Sequence, residues 1–498
     1  MNQLKPSKGR RRCNSLFCLI AGVCIAFGAF CSFADQTVTT DYNMSGSGKS
    51  ITVESGNVDT YTGLFSGGSG GLTLKGGGTA AITNPNNTYS KTWQITLGVL
   101  RFDVEGASGT AEFYHAGGSV AGNIKQFQLN AEGAIFSNNF RMTSTSNTGY
   151  EYAPLKFMKS CTFAGTVTGG TKTVSIVDDS AEHPTVCFLG DMSMTSSASS
   201  SATPYFELIP SGTFRIYGKM SVFDRLMLYA TNALGSVELY NPSNSIPNVY
   251  LGYTNLKLME PNVLTNATIL LRTISGKAFS GIADLYLYAD QHIKGFARST
   301  AWEQSGDAAV VRAAEGVSRI LTIDGYADDT AENQCRFAFD GPLTLVKVGD
   351  GIQNFYSRDN TMTGAIIVSN GTFKVANTSR FSTASAIEVA GGLLDMSESD
   401  STGCFANARR LTVGNSAELR IGANVTTPFT NLHSVVIGST GKIESYGDVC
   451  MTIETGNLKI GNTTLFKGLY TSTTHPANIG NGITIKCNKE GGLAIIVK

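Results

Sequence analysis

The side chains best placed for chemistry lie together at Asp178-Asp179, Glu182 and His183. Two or three carboxylates gathered across a groove serve as acid, base or nucleophile in glycoside hydrolysis. Acids that hold calcium beside a lysine or arginine serve the eliminative cleavage of polysaccharides. Asp178, Asp179 and Glu182 are therefore the residues on which an enzyme reading rests. The same residues also describe a solvated turn after the strand pattern at 173–177, and the sequence favours the turn.

The remaining motifs are weaker. Gly48-Lys49-Ser50 ends like a phosphate-binding loop, but position 43 is Asn43 instead of glycine. An apolar strand pattern, Ile51-Thr52-Val53, follows where a helix is required. The five histidines, His115, His183, His292, His433 and His475, are far apart, and none has metal-ligand spacing. Asp324-Gly325, Asp340-Gly341 and Asp350-Gly351 are turn dipeptides first. These residues assign no cofactor and no metal. Tyr229, Tyr240, Tyr250, Tyr253, Tyr286 and Tyr288 recur closely enough to form a sugar-stacking platform, although tyrosine also simply favours strands.

The chain begins with Lys5, Lys8, Arg10, Arg11 and Arg12, and has no acid before Asp35. An apolar and glycine run covers 16–30, and Ser32-Phe33-Ala34 supplies small residues around a cut between Ala34 and Asp35. This is the pattern of a cleaved export signal over 1–34. The apolar run is short against the roughly 20 residues of a spanning helix, and no later stretch is long enough to span, so no membrane segment is expected after cleavage. Five of the 38 basic residues leave with the signal, so 33 remain against 38 acidic ones. That mild negative balance argues against nucleic acid as a partner. Six of the ten cysteines remain, Cys161, Cys187, Cys335, Cys404, Cys450 and Cys487, and their pairing is not deducible from spacing.

Charged residues make up only 15% of the chain and prolines number 12, while glycine, serine, threonine and asparagine abound. Turn formers and β-branched residues in such excess predict an all-β protein. Sliding the chain on itself aligns 76–102 with 349–375 without a gap. Gly76, Gly78, Asn87, Thr88 and Gly98 fall on Gly349, Gly351, Asn360, Thr361 and Gly371. A finer period runs through the last third, where apolar strands begin at Ile366, Ile387, Leu411, Val435 and Leu458, in steps of 21–24 residues. The first four are each followed by a small-residue turn and a second strand.

This recurrence predicts a parallel β-helix, or β-solenoid, with rungs of about 21–25 residues. Equivalent strands would pair one rung apart and stack like residues inside. Glycine and asparagine are expected at corners that need positive φ. Residues 35–305 and 321–498 are read as two solenoid segments with caps at 35–66 and 480–498. The alanine-rich stretch at 307–319 has a helix-compatible period, so 306–320 is read as a short helix or a join.

The two aligned segments resemble the autotransporter-associated β-strand repeat. The resemblance rests on Asn87-Thr88-Tyr89-Ser90 with Gly98, and on Asn360-Thr361-Met362-Thr363-Gly364 with Gly371-Thr372-Phe373. Leu345-Val346-Lys347-Val348-Gly349 matches the leading strand of that repeat. The resemblance covers about a quarter of the chain and implies an exported, passenger-type parallel β-helix. It also implies a C-terminal outer-membrane barrel, for which this chain shows no room. The sequence thus points to a secreted or surface-displayed, non-catalytic, adhesin-like solenoid whose partners would be glycans or a neighbouring cell surface. The alternative is an extracellular polysaccharide-degrading β-helix enzyme.

Overall fold

The computed structural model describes residues 35–116, 124–142, 153–170, 173–179, 181–194, 204–230, 235–271, 283–298, 309–356, 358–453 and 457–488. The export signal read over 1–34 and the end of the chain from 489 lie outside the described residues.

The apolar periodicity becomes strand stacking in the predicted register. Ile366 pairs with Ile387, Ile387 with Leu411, Leu411 with Val435, and Val435 with Leu458, all in parallel. All five are fully buried. Burying such a side chain contributes roughly 1.5–3 kcal/mol, so each added coil stabilises the one before it. The second strands stack in the same way, with Phe373 on Leu394, Leu394 on Leu419 and Leu419 on Ile443.

Three long faces result. One is a 12-stranded sheet from Thr37–Val38 to Gly295–Arg298, continued end-on by a six-stranded sheet from Gln334–Cys335 to Lys442–Ser445. A second face carries an eight-stranded sheet that ends at Met220–Ser221 and a nine-stranded one that starts at Gln291–Ile293. The third is a ten-stranded sheet from Ile135–Phe136 to Thr361–Met362. Aromatic rings fill the interior. Phe65, Trp93, Phe102, Phe113 and Phe127 follow one another with centroids 5.0–5.3 Å apart.

The two aligned segments share their second glycine contact. Gly98 has φ +94° and Gly371 φ +65°. A Cβ on Gly98 would stand 2.5 Å from the Gly78 carbonyl oxygen and 2.7 Å from that of Gly76. A Cβ on Gly371 would collide with the carbonyl oxygens of Gly351 and Gly349, the same two positions of the other copy. The expectation of positive φ for asparagine holds at Asn262, Asn266 and Asn377 but not at the two repeat asparagines. Asn87 and Asn360 are absent from the positive-φ residues and are selected for their side-chain amides. Asn87 Oδ1 accepts from the Phe65 N–H at 2.8 Å, and its Nδ2 donates to the Ala107 carbonyl at 2.7 Å. Asn360 takes the Phe339 N–H at 3.0 Å and donates to the Arg380 carbonyl at 2.6 Å. Each amide bridges the coil above to the coil below, beside the backbone hydrogen bonds that join them.

The helical expectation at 307–319 also fails. Ala309–Ala313 is a strand that buries Ala309, Val311 and Ala313 on alternate positions, and only a single 3₁₀ turn, Ala314–Gly316, precedes the strand Arg319–Ile323. Alanine lacks the bulk to impose either period, and the strands on both sides decide. Ala283 pairs in register with Ala309 and Ala338 with Val310, in one sheet that runs unbroken past this point. Here the first face changes sheets, between Gly295–Arg298 and Gln334–Cys335. Gln353 spans the gap on the first face, accepting from the Phe296 N–H at 2.9 Å and donating back to its carbonyl at 3.1 Å.

The strands of 35–66 pair in parallel with the coil that follows, as later strands do. At the other end Thr463–Leu465 folds back antiparallel on Asn457–Ile460, closing that sheet edge. Asn478 donates to the carbonyls of Gly441, Gly438 and Ser439 at 2.8, 3.1 and 3.3 Å. Blocking exposed edges in this way removes a template for further strand pairing.

Asn360→Ala should destabilise the chain by about 1–3 kcal/mol, the cost of leaving buried backbone groups unpaired. Gly371→Ala should cost more, because the left-handed backbone alone adds roughly 1–2 kcal/mol to the steric conflict. Asn370→Ala, on the exposed neighbouring residue, should stay within about 0.5 kcal/mol. Denaturant unfolding followed by circular dichroism ranks the three.

Candidate functional site

Asp178 ends the strand Val174–Asp178 with its side chain fully buried. Its Oδ1 accepts from the Ser211 N–H and hydroxyl, both at 2.6 Å, and its Oδ2 accepts from the Gly212 N–H at 2.9 Å. Burial pushes its carboxyl above the usual range, against the pull of the Ser211 and Gly212 donors. Asp179 faces the opposite way along the axis, with Oδ2 3.4 Å from Lys156 Nζ and Oδ1 taking the Ala181 N–H at 2.9 Å. Partial burial raises its carboxyl, but the Ala181 N–H and the Lys156 charge outweigh that and leave it lowered. Glu182 is exposed and meets Lys159 at 3.0 Å. His183, at φ +48°, sets Nδ1 3.2 Å from the Ser211 carbonyl. The four residues share one turn, yet Asp178 ties it to the following coil while Asp179 and Glu182 tie it to the preceding one. Each carboxylate is engaged as an inter-coil fastener.

The outer surface is organised in columns one residue wide. On the third face Arg215, Glu238, Lys257, Tyr286, Arg312, Asp340 and Thr361 occupy successive rungs in register. Glu238 pairs with Arg215 at 3.1 Å and with Lys257 at 2.9 Å. Arg312 meets Asp284 at 2.9 Å and also contacts Asp340. The tyrosines do not make one platform. Tyr229 is buried with Ala153, Val177 and Ile209, whereas Tyr240 stacks on Tyr217 at 4.3 Å and Tyr250 lies by the Arg225 guanidinium.

A polar groove of about 420 Å³ crosses the regular C-terminal coils. Two columns line it. Thr383, Asn407 and Asn431 form one, and Ser385, Arg409 and His433 form the other. The second column immediately precedes Ala386, Arg410 and Ser434, which pair in register. Asn431 Nδ2 donates to Asn407 Oδ1 at 3.0 Å, and the Thr383 hydroxyl donates to the Met362 carbonyl at 2.8 Å. Sequence reasoning passed over this site because it followed the apolar strands. The signal was there in the same 24-residue step, which also carries Asn407 to Asn431 and Arg409 to His433.

Lys347, from the repeat's leading strand, is buried with its ammonium in a ring of carbonyls. It donates to Asp324 at 2.7 Å, Gly349 at 3.0 Å and Asn370 at 3.4 Å, joining three consecutive coils. Burial pushes its pKa down to about 8, with Asp324 opposing. The six cysteines 161–487 are free. Cys161 and Cys187 sit on adjacent strands one position out of register, which puts one inside and one outside. Among the described residues no group of three or more His, Cys, Asp or Glu side chains is gathered for a metal, and no helix is long and apolar enough to cross a membrane.

The fold and its surface define a parallel β-solenoid of stacked coils. No protein-family model matches the chain, and no curated protein or solved structure matches it either.

Asp178→Ala should destabilise the protein by roughly 2–3 kcal/mol, since it orphans buried donors of the next coil. Glu182→Ala should change stability by less than about 0.5 kcal/mol, as expected for an exposed pair. Thermal unfolding of both variants measures this; equal, negligible effects would deny Asp178 its fastening role.

Proposed function

We propose that the chain is an exported, non-catalytic structural protein of the cell surface or its surroundings, an adhesin-like rod that binds through many repeated contacts. The observation that carries this reading is the register of the outer columns. Residues such as Arg215, Glu238 and Lys257, or Asn407 and Asn431, stand one rung apart on a stiff frame. A ligand with its own linear repeat, such as a glycan, meets equivalent groups at each step. Contacts that are weak singly gain strength when several engage at once.

Export is supported by the basic start, the apolar run at 16–30 and the small residues before Asp35. The equivalence of Asn87 with Asn360 and of Gly98 with Gly371 supports kinship with the autotransporter-associated repeat, and hence a passenger-like role outside the cell. The ties of Asp178, Asp179 and Glu182 to neighbouring coils support a structural role for these carboxylates.

Expression with the complete N-terminus in a bacterial host should yield an exported chain whose first residue, by mass spectrometry, is Asp35. That chain should bind cells, matrix or arrayed glycans. An unprocessed chain retained in the cytoplasm would overturn the export reading, and a processed chain that binds no surface would overturn the adhesive one.

A further inference from the structure

We infer that the groove between Thr383-Asn407-Asn431 and Ser385-Arg409-His433 is a binding site for an acidic oligosaccharide, with the glycan lying along the solenoid axis. This inference rests on the surface-binding reading above and adds to it the ligand class.

Charge is the first argument. On the outer surface Arg101, Arg141, Arg215, Arg312 and Arg420 are each paired with a carboxylate. Arg409 is exposed, and among the described residues its guanidinium has no carboxylate partner. No acidic residue lines the groove. Among the described residues Arg409 and its neighbour Arg410 both stand exposed without a carboxylate partner, so the groove keeps a planar five-donor cation free. A guanidinium of this kind matches carboxylate or sulfate through two parallel hydrogen bonds.

Spacing is the second argument. Equivalent groove residues repeat every coil, roughly 4.8 Å apart, which is close to the advance of one sugar ring along an extended chain. The Thr383-Asn407-Asn431 column offers the Thr383 oxygen as an acceptor, and the amide groups left outside the Asn431–Asn407 hydrogen bond, to successive sugar hydroxyls. The Ser385-Arg409-His433 column offers the anion contacts on the opposite wall. The cavity, about 420 Å³, falls in the range of small-ligand sites. The site needs no movement of the core, because its lining residues flank strands whose inward neighbours Ile387, Leu411 and Val435 are fully buried.

The test is calorimetric titration of the purified, exported full chain with three probes: a hexamer of galacturonate, a heparin hexasaccharide and a neutral maltohexaose. At least one acidic hexamer should bind, and the two acidic probes distinguish carboxylate from sulfate as the anion read. Affinity should fall as salt is raised. Arg409→Ala should weaken binding about tenfold, Arg409→Lys less, and Arg141→Ala, on a distant paired arginine, not at all. An unchanged circular dichroism spectrum confirms that the Arg409 variants fold. Failure of both acidic hexamers, equal binding of maltohexaose, or an Arg409→Ala variant that binds like the parent would overturn the inference. If the chain still adheres to cells in that event, the surface reading survives without this groove. If it adheres to nothing, the reading falls and the groove falls with it.

Discussion

Everything in this molecule depends on backbone pairing between one coil and the next. In a parallel stack each N–H and C=O of a strand is satisfied by the coils above and below, so a coil is only as stable as its neighbours. The requirement is hardest to meet at corners, where strand pairing stops and the polar backbone would otherwise be left buried and unpaired. The chain meets it with side chains that imitate backbone. Asn87 and Asn360 each present an amide to the coils on either side, and Gln353 and Asn478 use theirs to hold backbone groups of earlier coils. Lys347 does the same with an ammonium held by carbonyls of three coils. Glycines 98 and 371 allow two coils to approach where a Cβ would strike a carbonyl.

The same constraint explains what could be read from the sequence. Stacking forces like residues onto like positions, so the apolar starts at Ile366, Ile387, Leu411, Val435 and Leu458 announced their own register. The offset of 273 residues between the two aligned segments likewise survives as identical glycine contacts. Other features were hidden because their meaning lies in the neighbouring coil. Asn87 looks like a turn former by type, and only the Phe65 N–H and the Ala107 carbonyl reveal it as a bridge. Asp178, Asp179 and Glu182 look like one acidic cluster in the chain, yet their partners Ser211, Lys156 and Lys159 lie on different coils. The alanines at 309–313 carry no decisive period, and sheet context makes them a strand.

Function follows from what the constraint leaves over. Inward positions are committed to packing and corner positions to fastening. Outward positions are free to vary, but only in columns, because each falls directly above its equivalent. The surface therefore favours extended ligands with a repeat of their own. Where a column pairs its charges, as along Arg215, Glu238 and Lys257, the surface is self-neutralised. Where a column leaves a charge open, as at Arg409, it offers a contact.

The stacking register itself can be measured by cross-linking thiols placed on the outer face of the C-terminal coils. Thr412 pairs in register with Val436, and Val436 with Lys459. A chain carrying Thr412→Cys and Val436→Cys should be bridged efficiently by a thiol reagent of roughly 5 Å span, the distance between neighbouring rungs. A chain carrying Thr412→Cys and Lys459→Cys, two rungs apart, should not be bridged. Bridging of the second pair in preference to the first, or of neither, would contradict the stacked-coil account.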